Sequence, residues 1–165
     1  MEVWDIYNRE KQRTGRTMVR DDWHMKEGDY HLSVLGVIMR PDGKFLITRR
    51  AEDKSWAPGW WEVSGGAAVA GEDSRDAVVR EIREETGLDV SGCEGGFLFS
   101  YRRENPGDNY FVDVYRFQVD FEQEDVVLQE EEASGFMIAD LGQIEAFGRQ
   151  GIFLHYNSIK EAFAV

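Results

Sequence analysis

The chain has a single cysteine and no long apolar run. Because Cys93 stands alone, no disulfide can form within the chain, which favours a reducing compartment. No apolar run approaches the roughly eighteen residues of a membrane-spanning helix. The first ten residues, MEVWDIYNRE, lack the apolar core of a signal peptide. We therefore expect a cytoplasmic protein with no membrane partner.

Positive charge is also scarce. The chain carries 19 Lys and Arg residues against 32 Asp and Glu residues, for a formal net charge of −13 at pH 7. A surface of this sign repels nucleic acid, so nucleic acid is not an expected partner. A small polyanionic ligand can still bind, because metal ions and nearby Arg or Lys side chains set the field inside a local site.

Length and composition indicate one globular domain spanning 1–165. The chain is 42% hydrophobic and 13% aromatic, enough to build a real core. Apolar periodicity and turn residues predict the secondary structure. The predicted strands span 3–7, 16–19, 31–39, 45–48, 61–63, 97–101, 110–120 and 136–138, and the predicted helices span 74–85, 141–147 and 151–163.

The connections between these segments are also predicted. The first two strands form an N-terminal β-hairpin extension within 1–29. Gly65 and Gly66 are predicted to form a loop that leads into the first helix, and the segment 92–96 interrupts the pattern after it. Strands on both sides of one long helix, with further helices at the end, indicate a mixed sheet between helices.

The first predicted helix has clear start and stop signals. Asp73 or Ser74 can cap its N-terminus, and Glu72 and Asp73 place negative charge at the positive end of the helix dipole. Gly87 follows the last charged turn and is a typical stop residue. These local signals predict a helix that begins at 74 and ends at 85.

Three carboxylates share one face of this helix. Glu81, Glu84 and Glu85 are three and four residues apart, so their like charges repel one another. Such a cluster suits a hard cation with oxygen ligands, such as Mg²⁺ or Mn²⁺. Arg80 can pair with Glu72 or Glu84 and orient a ligand carboxylate. The alternative interpretation is a solvated helix face with ion pairs.

The segment 66–88 matches a long family signature. It reads Gly66-x5-Glu72-x7-Arg80-Glu81-Ile82-x-Glu84-Glu85-x-Gly87-Leu88, and every fixed position of the Nudix box is filled. The chain therefore resembles the Nudix (MutT-like) hydrolases. The resemblance implies the α/β/α sandwich of that family, an α/β (α+β) fold with a mixed sheet between helices. It also implies metal-dependent cleavage of a pyrophosphate bond in a nucleoside-diphosphate-linked substrate by activated water.

The same resemblance implies roles for individual residues. Glu81, Glu84 and Glu85 would bind Mg²⁺ or Mn²⁺, with the Gly66 carbonyl as a further ligand, and Arg80 would orient them. The general base is often a glutamate on a later loop, and among 130–132 we favour Glu131. The alternative for each of these three glutamates is an acidic, solvated loop.

The residues that recognise substrate lie outside the box in this family. We expect Arg49 and Arg50 to meet phosphate oxygens, and Tyr101 and Arg103 to hold a base or a phosphate. Packing for the aromatic residue and surface ion pairs for the arginines are the alternatives. The resemblance also makes a homodimer a reasonable arrangement.

The first ninety residues resemble one subgroup in particular. The segments EVWDIYN, GDYHLSVLGVIMRPDGKFLITRR and PGWWEVSGGAAVAGE are similar to isopentenyl-diphosphate isomerases of the Nudix type. Those enzymes move a double bond with a cysteine acid, and Gly65 and Ala67 stand here at the positions of that cysteine and of a metal-binding histidine. The hydrolase interpretation is therefore preferred, with isomerase-like activity and a non-catalytic nucleotide-binding regulatory module as alternatives. The sequence leaves the particular diphosphate substrate open.

Overall fold

The computed structural model describes residues 1–22 and 24–164. It contains nine strands and three α-helices within these residues, together with two short 3₁₀ segments, Gln123–Asp125 and Lys160–Phe163. No helix in this part of the chain is long and apolar enough to cross a membrane. The strands are β1 (Val3–Tyr7), β2 (Arg13–Val19), β3 (His31–Met39), β4 (Phe45–Arg50), β5 (Trp61–Glu62), β6 (Ser64–Ala67), β7 (Glu94–Arg103), β8 (Tyr110–Gln118) and β9 (Ala133–Ala139), and the helices are α1 (Ser74–Thr86), α2 (Leu141–Gln150) and α3 (Tyr156–Ile159).

Strand β3 lies at the centre of a seven-stranded mixed sheet. It runs parallel to β8 along its whole length, from the pair His31 and Tyr110 to the pair Met39 and Gln118. Its other edge pairs antiparallel with β6 and, further along, with β4. Strand β7 extends the sheet beyond β8, and β5 and β9 extend it beyond β4. The mixed sheet predicted from the sequence is confirmed.

Both faces of this sheet are covered. On β3, Val34 and Ile38 face the cluster that contains the apolar side of α1, whereas Val37 faces the cluster that contains Ile144 of α2 and Ile159 of α3. A strand buried on both faces needs apolar residues at successive positions, which explains the continuous apolar run in this segment. The expected α/β/α sandwich is therefore the observed architecture.

A glycine in the central strand allows α1 to approach closely. A Cβ placed on Gly36 would lie 2.7 Å from Cδ1 of Ile82 and 2.8 Å from Cγ2 of Val78. Any larger residue would push these two helix side chains away from the sheet. The absence of a side chain at this position therefore sets the distance between α1 and the strands beneath it.

The first two strands form a separate two-stranded sheet, as predicted. β1 and β2 pair antiparallel, with Val3 opposite Val19. Buried Trp4, Ile6 and Met18 form their own apolar cluster. Charged contacts anchor the hairpin, because Lys11 Nζ lies 2.5 Å from the buried carboxylate of Asp113. The hairpin is thus packed against the main sheet.

Several predicted element boundaries were wrong, and three of the differences bear on the site or on the end of the chain. Gly65 and Gly66 lie in β6 and pair with β3, whereas the sequence predicts a loop. Strand β7 begins at Glu94 inside the predicted interruption, because this segment pairs with the end of β8 and glycine accommodates the positive φ of 118° at Gly95. The last predicted helix, 151–163, is helical only from Tyr156, since His155 adopts a left-handed conformation with φ of 61°.

Candidate active site

Helix α1 begins and ends where local chemistry dictates. Asp73 accepts a hydrogen bond from the backbone N–H of Asp76 at 2.8 Å, and Asp76 accepts one from the Asp73 N–H in return. This reciprocal capping box satisfies two unpaired N–H groups of the first turn. At the other end Gly87 is left-handed, with φ of 78°, and its N–H donates to the Arg83 carbonyl. The residues buried along the helix are Ala77, Val78, Ile82 and Thr86.

Arg80 connects the helix to the strand before it. Its guanidinium forms two hydrogen bonds with Glu72, at 2.8 and 3.0 Å, and one with the Ala67 carbonyl at 3.2 Å. It also donates to Glu81 at 3.0 Å and to Glu84 at 3.2 Å. Burial opposes the charged form of Glu72, but the hydrogen bonds from Arg80 and from the Val69 N–H, together with the charge of Arg80, hold the pKa of Glu72 below its usual range.

Glu81 and Glu85 lie against strand β6. An oxygen of Glu85 accepts a hydrogen bond from the Gly65 N–H at 3.1 Å. A Cβ placed on Gly66 would lie 2.6 Å from an oxygen of Glu81. Burial raises the pKa of Glu81 to about 7 even though Arg80 opposes the shift. Burial, the charge of Glu81 and the charge of Glu62 raise the pKa of Glu85 well above its usual range.

The donor atoms of these residues suit Mg²⁺ or Mn²⁺. They supply only oxygen atoms, as hard cations require, and glycine at 66 leaves space beside the Glu81 carboxylate that any side chain would fill. Within 1–22 and 24–164, however, no three Asp, Glu, His or Cys side chains converge closely enough to form a complete metal site. Glu84 instead pairs with Arg80, and its side chain is half exposed.

A cleft of about 540 Å³ opens beside these carboxylates. Its lining includes the charged side chains of Arg50, Lys54, Glu62, Glu85 and Glu132. Other walls are aromatic and include Trp4, His31, Trp56, Tyr101, Tyr110 and His155. A cleft that combines basic groups with aromatic surfaces can hold a phosphate and a planar group at the same time.

Of the four residues predicted to bind substrate, two line the cleft and two do not. Arg50 and Tyr101 line the cleft. Arg49 donates to the Gly59 carbonyl at 3.1 Å and pairs with Glu52 at 2.7 Å. The guanidinium carbon of Arg103 lies 4.4 Å from the centre of the Tyr101 ring, so Arg103 covers a face of that ring.

The turn at 130–132 contributes one residue to the wall of the cleft. Glu132 lines the cleft, and its carboxylate pairs with Lys54 at 2.6 Å. Glu131 is exposed on the same turn. The cleft is therefore reached by the residue after the one favoured from sequence.

Sequence reasoning missed several residues of the cleft. Glu62 lines it, and burial raises the pKa of this carboxyl although Arg50 opposes the shift. The signal was present, since Glu62, Ser64 and Gly66 alternate along an extended segment and such residues share a face. Trp4 gave no such signal, because only the folding of the hairpin brings it to the cleft, where it stacks on His31 at 4.4 Å.

Comparisons with known proteins identify relatives of this chain. The family described as NUDIX domain matches residues 29–155. An uncharacterized Nudix hydrolase of Listeria monocytogenes is 32% identical across 99% of this chain and 94% of its own length. A crystal structure of a protein from Deinococcus radiodurans superposes with a TM-score of 0.72 at 24% identity, covering 92% of this chain and 91% of that one, and shows the fold.

A third relative bears on the predicted subgroup. The isopentenyl-diphosphate Delta-isomerase of Kocuria rhizophila is 34% identical, but only over 52% of this chain and 47% of its own length. The match is therefore partial, and membership of that subgroup stays a prediction.

Proposed function

Because this chain belongs to the Nudix family and is a hydrolase of phosphorus-containing acid anhydrides, we propose that it cleaves a nucleoside-diphosphate-linked substrate with Mg²⁺ or Mn²⁺. The observation that supports this most directly is a pair of largely buried carboxylates, Glu81 and Glu85, of which Glu85 lines a cleft together with Arg50 and Lys54. Buried like charges are costly to fold around unless a cation neutralises them. A diphosphate next to that cation would complete the charge balance.

The metal ligands we propose are the carboxylates of Glu81, Glu84 and Glu85 and the carbonyl of Gly66. A bound divalent cation would supply charge neutralisation for the diphosphate and would lower the pKa of a water molecule. Arg80 would hold Glu81 and Glu84 in orientation through the bonds that it already makes.

The substrate would lie along the cleft. Arg50 would bind phosphate oxygens, since a guanidinium matches their forked geometry. Tyr101 would stack on the base, and Arg103 would support the ring from the face that it covers. For Arg49, the pair with Glu52 favours a structural role over the substrate contact expected from the sequence.

The turn at 130–132 would provide the general base. A base must come within hydrogen-bond distance of the water whose proton it removes, directly or through one further water. Glu132 is better placed than Glu131 because its carboxylate lines the cleft. Its carboxylate already pairs with Lys54 at 2.6 Å, which holds the side chain at the wall of the cleft.

Isomerase-like activity is the second candidate, and the partial match to an isomerase favours it. Carbon protonation requires an acid side chain close to the substrate. Gly65 and Ala67 supply none at the positions that resemble the isomerase, so we place hydrolysis first. We also propose a cytoplasmic, single-domain protein that forms a homodimer, which light scattering during size-exclusion chromatography would test.

Two substitutions on α1 test the proposal. Glu84→Gln and Glu85→Gln retain side-chain size but remove a charge, and we expect kcat to fall by about a hundredfold or more. The matched control is Glu94→Gln at the exposed start of β7, which should keep wild-type turnover. Circular dichroism and thermal unfolding would verify the fold of each variant. Full turnover in both helix variants would refute the mechanism.

A further inference from the structure

Arg50 is held from two directions at the wall of the cleft. Its Nε donates to the Trp56 carbonyl at 3.1 Å, and its Nη1 donates to an oxygen of Glu62 at 3.1 Å. Its guanidinium carbon also lies 5.4 Å from the centre of the Trp56 ring. A long, flexible side chain is thereby restricted to a narrow range of positions.

The guanidinium retains donors for a ligand. An arginine side chain carries five N–H groups in a planar fork, and the contacts with Trp56 and Glu62 use two of them. Within the described part of the chain the other three have no protein partner. Because Arg50 lines the cleft, these donors are available to an anionic oxygen bound there.

We infer that Glu62 is a positioning residue, which fixes the Arg50 guanidinium so that its remaining N–H groups bind the diphosphate of the substrate. This inference rests on the proposed function, because it assumes that a diphosphate occupies the cleft. Glu62 itself carries negative charge beside that ligand, so its contribution is made through Arg50. A guanidinium held in place loses less conformational entropy when it binds phosphate.

The ion pair between Arg50 and Glu62 is less exposed than the neighbouring pair between Arg49 and Glu52. The side chains of Arg50 and Glu62 are 16% and 24% exposed, whereas those of Arg49 and Glu52 are 44% and 64% exposed. Exposed pairs contribute little, while a pair shielded from water keeps its geometry and strength. The charge of Glu62 also helps to raise the pKa of Glu85, so Glu62 interacts with Arg50 and with one proposed metal ligand.

Binding of inorganic pyrophosphate in the presence of Mg²⁺, measured by titration calorimetry, tests this role. We expect Glu62→Gln to weaken binding by about tenfold, the effect of a lost hydrogen bond to a charged group. Glu52→Gln, the matched control at the adjacent exposed pair, should bind like the wild type. Arg50→Lys keeps the charge but loses the fork, and the double variant should bind no more weakly than Arg50→Lys alone.

Several results would overturn the inference. These are wild-type affinity in Glu62→Gln, a full additional loss in the double variant, or no binding of pyrophosphate by the wild type. Glu62→Gln could also act through Glu85, so Mn²⁺ binding without pyrophosphate is measured by electron paramagnetic resonance. If Glu62→Gln lost as much affinity for Mn²⁺ as for pyrophosphate, this would contradict a role through Arg50.

This test is separate from the test of turnover. Pyrophosphate binding requires no cleavage, so the expected pattern together with absent hydrolysis would leave Glu62 as a positioning residue of an anion site. That result would refute only the proposed reaction. The inference would be refuted and the proposed function kept by a different pattern. In that pattern the wild type hydrolyses its substrate, Glu85→Gln loses turnover, and Glu62→Gln leaves KM unchanged.

Discussion

At the scale of single residues, Glu81 combines burial with a proposed role as a metal ligand, which requires the charged form. Burial raises its pKa to about 7, although Arg80 donates a hydrogen bond to it. At neutral pH the carboxyl is therefore partly protonated, and a cation bound as proposed would take the place of the proton. This balance couples the stability of the protein to both pH and metal.

The coupling predicts a pH dependence with a definite sign. Because the pKa of Glu81 is about 7 in the folded protein and has an ordinary value near 4.5, the folded state binds more protons between these values. Stability without metal should therefore fall as pH rises from about 5 to 7. Urea unfolding at a series of pH values measures this, and Glu81→Gln should reduce the slope.

Added Mg²⁺ provides the control for this prediction. A cation binds the deprotonated carboxylates, so saturating metal should stabilise the protein more at pH 8 than at pH 5.5. A free energy of unfolding that is independent of pH in this range, with and without Glu81→Gln, would contradict the burial argument.

Two adjacent glycines should respond differently to alanine. At Gly66 the added Cβ would meet the end of the flexible Glu81 side chain at 2.6 Å, whereas at Gly65 it would meet the Val34 backbone carbonyl at 2.3 Å. Gly66→Ala should thus displace Glu81 and weaken Mn²⁺ binding by about tenfold with a small change in stability. Gly65→Ala should lower the free energy of unfolding by about 2 kcal/mol or more.

Metal titration and urea unfolding of both variants would separate these effects. Each glycine variant serves as the control for the other, because the positions are neighbours on the same strand. Equal losses of stability would show that β6 and not the Glu81 carboxylate determines the requirement for glycine at 66.

At the scale of elements, helix α1 depends on its caps and on its contact with β3. The like charges of Glu81, Glu84 and Glu85 weaken the isolated helix, while Asp73 and Asp76 satisfy its first turn. We expect Asp73→Ala to reduce the free energy of unfolding by about 1 kcal/mol. Urea unfolding measures the loss, and Asp120→Ala, at an exposed position, is the control. An unchanged midpoint in Asp73→Ala would show that tertiary packing alone defines the helix start.

The elements also show what sequence can and cannot reveal. The start of α1 at Ser74 was predicted correctly and its end differs by one residue, because caps, periodicity and the stop glycine are all local signals. Strand β6 was missed because Gly65 and Gly66 have low strand propensity, and only pairing with β3 makes them extended. His155 interrupts the last predicted helix through a left-handed conformation that its sequence neighbours do not indicate.

The same distinction applies to the candidate site. The carboxylates of α1 follow from a contiguous pattern, so the sequence identifies them together. Arg50, Glu62 and Glu132 come from three different strands or turns, and their proximity depends on the way β4 pairs with β5 and β9. Only the folded sheet could show that Glu132 and Glu62 share a cleft with Arg50.

At the scale of the whole molecule, the N-terminal hairpin precedes the part of the chain that the family model matches, and it contributes to the cleft. The family match begins at residue 29, yet Trp4 and Arg20 of the preceding segment line the cleft. Arg16 pairs with buried Asp29 at 2.6 Å and helps to hold the hairpin against the sheet. The cleft is thus formed by two sheets, and in a chain with a net charge of −13 its wall carries basic as well as acidic side chains.

The most direct test of the central claim is product analysis in ¹⁸O-labelled water. Purified protein with Mg²⁺ or Mn²⁺ would be given nucleoside diphosphate sugars, dinucleotides, nucleoside triphosphates and isopentenyl diphosphate, and products would be identified by mass. The account predicts metal-dependent cleavage of one nucleotide class, with the label in a phosphate of one product and with loss of activity in Glu85→Gln. Migration of a double bond without cleavage, or turnover equal in the wild type and Glu85→Gln, would contradict it.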